Sequence, residues 1–174
     1  MRKVYAILLS FLLAPCALRA QVFKIYENFS ELEERIAKAD GNKLLVINFW
    51  ATYCKPCVKE LPFFNQLYHK YGSQNFEILL VSLDFRSQLE KKFVPFLRSY
   101  TLQPEVILLS DQDADSWIPR VQPEWDGAIP LTMLVRGKAR DFHVGEFESF
   151  EELEHFIHNF FQRVGLPQPP INDR

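Results

Sequence analysis

The chain has 174 residues, of which 48% are apolar and 14% aromatic, including 16 Phe. That is enough to fill the core of one domain, and too short for two full ones. Twenty basic residues against 22 acidic ones leave a net charge of -2, without the cationic surplus needed to neutralise many phosphates, so no nucleic-acid partner is expected. In chain order, Met1-Arg2-Lys3 is followed by an almost wholly apolar stretch from Val4 to Leu18, closed by Arg19-Ala20-Gln21. This is the layout of a secretory signal peptide over residues 1–20, with cleavage expected after Ala20. A permanent span needs ~20 apolar residues, so this stretch is short for one. An uncleaved signal anchor is the alternative, because Leu18 is larger than the small residue usual at that place. Residues 21–166 are then expected to form one domain and residues 167–174, with Pro167, Pro169 and Pro170, a flexible tail.

Ser30-Glu31-Leu32-Glu33 has the form of a capping box, and Leu32, Ile36 and Ala39 follow at helical spacing, predicting a helix from Ser30 to Ala39. Lys43 to Trp50 is nearly continuous apolar sequence, the pattern of a strand buried on both faces. From Cys54 to Tyr71 a helix is predicted with Val58, Leu61, Phe64 and Tyr68 on one face, a kink at Pro62 and a stop at Gly72. Phe76 to Leu83 predicts a second buried strand, Ser87 to Tyr100 a helix interrupted at Pro95, and Val106 to Leu109 a third strand. Asp111 to Gly127 has no clear period. Leu131 to Val135 and Ala139 to Val144 read as an antiparallel hairpin, and Ser149 caps a last helix burying Phe150, Leu153, Phe156, Ile157 and Phe160. The order of elements is that of an α/β domain with crossovers, ending in a hairpin and a helix.

Three cysteines are too few for a disulfide-stapled scaffold, and their odd number leaves one unmatched. Cys54-Lys55-Pro56-Cys57 follows a buried strand and opens a helix. Two cysteines so spaced can close a small disulfide, and the positive helix end stabilises a thiolate on the first. Cys54 is therefore the candidate nucleophile and Cys57 the resolving thiol, with Lys55 adding positive charge and Pro56 fitting a first-turn position. A structural disulfide or half of a zinc site are the plainer alternatives, although a closed zinc site needs four ligands. With cleavage after Ala20, Cys16 is expected to leave with the signal peptide. It also ends Leu13-Ala14-Pro15-Cys16, which loosely resembles a lipoprotein lipobox except at Pro15, so a tether through a lipid on Cys16 is a second possibility. His155 and His158 share a helix face at i, i+3 spacing, but their charged neighbours make a solvated face the expected setting.

The segment from Asn48 to Pro62, Asn-Phe-Trp-Ala-Thr-Tyr-Cys-Lys-Pro-Cys-Val-Lys-Glu-Leu-Pro, resembles the active-site segment of thioredoxin-fold proteins, and within them the exported TlpA/ResA-like thiol-disulfide oxidoreductases. Gly127-Ala128-Ile129-Pro130-Leu131-Thr132 resembles the second signature of that fold, in which the proline is cis and faces the disulfide. The likeness runs from about Lys43 to Val164. It implies a thioredoxin fold, a central mixed sheet flanked by helices, and a redox-active Cys54/Cys57 pair that, as a dithiol, reduces disulfides of periplasmic proteins and closes to a disulfide in doing so.

The resemblance also implies that Asn48 stands where thioredoxins keep a buried aspartate, and that Glu60 replaces it as general base and acid for Cys57. The i, i+3 spacing of Cys57 and Glu60 independently puts both on one helix face, and partial burial would raise the carboxyl pKa. Ile129 and Pro130 are expected to receive an extended substrate segment by strand addition, with Trp50 and Tyr53 flanking the dithiol on the substrate side. Tyr53 departs from the Trp common in the family. Trp117 and Trp125 are expected in the core rather than in a substrate groove. The implied partners are disulfide-bearing proteins, with apocytochrome c among them, and a membrane thiol reductant as electron donor. No cofactor or metal is expected, and a monomer is. The rival readings are a copper- or protein-binding thioredoxin-fold module and a thiol peroxidase.

Overall fold

The computed structural model describes residues 22–169. The expected signal peptide, Cys16 with its proposed lipid, and the last residues of the expected tail lie outside them. Strands β1 (Phe23–Tyr26), β2 (Leu44–Trp50), β3 (Phe76–Ser82), β4 (Glu105–Leu109), β5 (Leu131–Arg136) and β6 (Ala139–Val144) form one sheet in the order β1-β4-β3-β2-β5-β6. The first four are mutually parallel, β5 runs antiparallel to β2, and β6 antiparallel to β5. This is the mixed sheet of a thioredoxin-like fold. The ends of β2, β3, β4 and β6 and the start of β5 therefore meet along one edge of the molecule.

β2 has no exposed residue because each face is covered. Leu44, Val46 and Trp50 face a layer containing α2 (Lys55–Asn75) and α5 (Phe150–Arg163), with Phe64, Leu67, Leu153, Ile157 and Phe160 at its centre. Leu45, Ile47 and Phe49 face the opposite layer, where α1 (Phe29–Ala37) and α4 (Ala114–Val121) bring Phe29, Leu32 and Trp117. The alternation of β2 side chains thus divides one apolar run between two cores.

Several boundaries depart from the sequence expectation. α1 begins at Phe29, not Ser30: the Glu31 carboxylate reaches back to the backbone N–H of Asn28 at 3.2 Å, and the Phe29 N–H donates to Asp111 at 2.9 Å. Its capping box is Asn28 to Glu31. α2 keeps helical angles through Pro62, forgoing one bond to the Val58 carbonyl, and leaves them at Gly72, where φ is 66°. In place of one helix from Ser87, the chain makes a 3₁₀ turn at Arg86–Gln88, a π-helical turn at Leu89–Phe93, and α3 (Val94–Ser99). Pro95 has no N–H for the carbonyl four residues back, and the chain widens just before it. β1 and α4 are additions, short elements with too little sequence to show a period. Ser149 caps α5 as expected, its hydroxyl accepting from the Glu152 N–H.

Candidate active site

Cys54 sits where β2 hands over to α2. It is the N-cap of the helix, its carbonyl accepting from the Val58 N–H at 3.1 Å, and its Sγ lies 3.3 Å from the Cys57 N–H. The sulfur thus lies at the positive helix end, where backbone donors favour a thiolate. Cys54 and Cys57 form a disulfide with their Cα atoms 5.3 Å apart. The two are unequal: Cys54 keeps 9% of its surface and Cys57 none. On the other side of the disulfide Cys54 Sγ lies 3.7 Å from the carbonyl oxygen of Ile129, in the cis Ile129–Pro130 unit that opens β5.

The loop between β2 and Cys54 is fixed from β3. Asp84, buried at the end of β3, accepts from the Thr52 N–H at 2.9 Å, from the Thr52 hydroxyl and from the Ser82 hydroxyl at 2.7 Å. A backbone bond from Leu83 N–H to the Trp50 carbonyl, 2.8 Å, runs beside them. Tyr53, next to the nucleophile, is 56% exposed and stacks on Phe85, which is 64% exposed, with ring centroids 6.0 Å apart and planes 17° from parallel. Trp50, expected at the substrate surface, is instead fully buried and packs on Phe93 and Phe96. It is an even-numbered β2 residue like Leu44 and Val46 and so points into the α2 layer.

Glu60 lies one turn beyond Cys57 on α2 and is fully buried, more deeply than the sequence suggested. Its carboxylate accepts from Asn48 Nδ2 at 2.7 Å and from the backbone N–H of Phe147 at 2.9 Å, and Asn48 also donates to the Thr132 hydroxyl at 3.1 Å. Burial raises its pKa, the two donors pull it back, and the charges of Glu146 and Glu152 add to the rise, leaving it at about 7. A carboxyl so placed can take up and release a proton near neutrality.

Trp117 and Trp125 are core residues, as expected. Trp125 Nε1 donates to the Ala128 carbonyl at 2.8 Å, which steadies the approach to Pro130. Among the described residues no group of three or more His, Cys, Asp or Glu is placed to hold a metal ion. His158 lies 3.2 Å from the Tyr71 hydroxyl, and His155 is exposed. No helix among the described residues is long and apolar enough to cross a membrane.

The model of the AhpC/TSA family matches residues 22–116, more than half of the chain and the part that holds Cys54, Cys57, Glu60 and Asp84. The chain belongs to the AhpC/TSA family. As an AhpC/TSA protein it is 32% identical over 117 residues to the thiol-disulfide oxidoreductase ResA of Bacillus cereus, covering 66% of this chain and 62% of that one. It is 31% identical over 125 residues to ResA of Geobacillus thermodenitrificans, covering 71% and 66%. The chain therefore spans somewhat less than two thirds of the length of these curated relatives. A putative thiol:disulfide interchange protein DsbE from Chlorobium tepidum has a solved structure that matches at a TM-score of 0.55 and 25% identity, covering 74% of this chain and 84% of that one.

The sequence pointed to Cys54, Cys57, Glu60, Ile129 and Pro130, and the fold brings all of them to one end of the sheet. It did not point to Asp84, Thr52, Thr132, Phe85 or the Phe147 backbone. An aspartate two residues past a buried strand was the only visible hint of the first. A backbone N–H has no sequence signature.

Proposed function

We propose that the protein is an exported thiol-disulfide oxidoreductase that reduces disulfides of other proteins. The observation that carries this reading is the inequality of the pair: Cys54 keeps a little exposed surface at a helix N-terminus, while Cys57 is fully buried one turn before Glu60, a buried carboxyl on the same helix. In the reduced protein the Cys54 thiolate attacks a substrate disulfide. A Cys54–substrate bond forms, the substrate S–S bond breaks, and the departing sulfur takes the electron pair and then a proton from water. Cys57 gives its proton to Glu60 and attacks Cys54 Sγ. The Cys54–Cys57 disulfide forms and the second substrate sulfur leaves, so the substrate gains two electrons and the protein loses them.

An external dithiol of lower potential, in the membrane, returns the protein to the reduced state. Ile129 and Pro130 receive the substrate backbone, a role supported by the 3.7 Å approach of the Ile129 carbonyl to Cys54 Sγ. Export is supported by the layout of Met1 to Gln21.

The test is trapping. Reduced Cys57→Ala, mixed with a disulfide-bearing protein such as insulin, accumulates a mixed disulfide through Cys54 that appears as an added mass. Cys54→Ser forms none and does not reduce insulin. Retained reduction by Cys54→Ser overturns the assignment, and a reduction potential in the range of strongly oxidising disulfide donors overturns the reductase direction.

A further inference from the structure

Among the described residues four large apolar side chains are substantially exposed, and three of them stand at strand ends along the sheet edge that carries the dithiol. Tyr53 adjoins Cys54, Phe85 stacks on Tyr53, and Val144, at the end of β6, pairs across the strand with Leu131 beside Pro130. Strand order sets them in a line: the β3 end carries Phe85, the β2 end Cys54, the β5 start Pro130 and the β6 end Val144. Behind Phe85 the surface opens into a crevice of about 570 Å³, lined by Ser87, Asp111, Trp117, Ile118 and Gly127 as well as Phe85. Two of its lining residues, Phe85 and Gly127, link it to the site. Phe85 does so through the Tyr53 stack, and Gly127 by standing three residues before Pro130.

The platform is built, not incidental. Asp84 binds the Thr52 backbone and hydroxyl, so the two chain ends that present Tyr53 and Phe85 are locked to one another. An exposed aromatic pair held rigidly costs little ordering entropy when a partner arrives. It also leaves apolar surface in water that only a partner can cover.

Building on the disulfide-exchange reading, we propose that Phe85 and the crevice behind it are a specificity site, which takes an aromatic or long aliphatic side chain of the substrate a few residues from its disulfide cysteine. The occupant is a substrate polypeptide in extended form, because Phe85, which lines the crevice, stacks on Tyr53 next to the Cys54 that such a substrate must meet. Small disulfides, which cannot reach it, gain nothing from it.

The test uses two peptides identical but for one position, each with a cysteine in mixed disulfide with glutathione, one with Trp and one with Ser, the position being moved stepwise on either side of the cysteine. For the reduced wild-type protein the ratio of kcat/KM, Trp peptide over Ser peptide, is expected to reach about tenfold at one position, as burial of part of a large apolar side chain provides. Phe85→Ser and the crevice-filling Ser87→Trp both bring that ratio close to one. Because both peptides are read on the same sample, the ratio does not depend on how much of a variant is correctly folded. A wild-type ratio near one at every position, or a ratio that neither variant changes, overturns the proposal. So does a wild-type dimer in size-exclusion chromatography that Phe85→Ser converts to monomer, since the crevice would then hold a second copy of the chain. Reduction of neither peptide by the wild-type protein strikes the disulfide-exchange reading itself, a result distinct from equal reduction of both.

Discussion

Glu60 is set by two opposed effects at the scale of one side chain. Burial favours the acid, while the Asn48 and Phe147 donors favour the carboxylate, and they balance at about 7, against an ordinary value of 4.5. Between those values the folded state keeps a proton that the unfolded chain has released, so stability falls as pH rises through the window and levels off above it. Glu60→Gln, which cannot ionise, is therefore expected to gain on the wild type by about 3 kcal/mol between pH 4.5 and pH 8. Urea denaturation of the oxidised proteins at a series of pH values measures it, and a constant difference contradicts the buried-acid assignment. The same group leaves a kinetic mark. Resolution of the mixed disulfide by Cys57 should accelerate with pH through about 7 in the wild type, and stopped-flow measurement on Glu60→Gln should find that inflection gone.

Loops between elements determine where these side chains stand. Asp84 satisfies three donors at once, two from Thr52 and one from Ser82. Asp84→Ala leaves buried polar groups without partners, which costs about 3 kcal/mol or more in unfolding free energy, since each orphaned group costs roughly 1 to 3 kcal/mol. At the other loop, Gly127 has φ of 88°, and a Cβ there would lie 2.8 Å from Ile118 Cδ1. Gly127→Ala is expected to destabilise by about 1 to 3 kcal/mol, through a disfavoured backbone region and a clash that moves Ile118. The same thermal or urea melts check both.

Legibility in the sequence followed the same division. β2, β3, the β5–β6 hairpin, α2 and α5 carry long apolar patterns and were readable. β1 is four residues long and pairs only with β4 on one side, and α4 holds a proline within eight residues, so neither shows a period. Of the site, the dithiol and Glu60 are side chains at fixed spacing on one helix. The clamp from Asp84 and the bond from Phe147 join segments 32 and 87 residues apart, and no local pattern records them. Trp50 is buried, not at the substrate surface, because it is still the last residue of β2 and shares the α2-facing side of Leu44 and Val46, whereas Tyr53 lies beyond the strand.

For the molecule as a whole, the sheet order makes β2 and β3 the centre and β1 and β6 the edges. Hydrogen exchange should find the amides of β2 and β3 protected up to global unfolding and those of β1 and β6 opening first; equal protection across the sheet would contradict this. The site straddles that order: the dithiol follows the central strand β2, but Glu60, the proposed proton acceptor, is tied down beyond the edge strand, through the Phe147 N–H. A chain being synthesised presents Cys54 and Cys57 well before Phe147. Until that residue arrives, Glu60 has no backbone anchor, its carboxyl is an ordinary solvated acid, and Cys57 is an open thiol. If Glu60 governs the Cys57 proton as proposed, that control is complete only once the segment carrying Phe147 has docked.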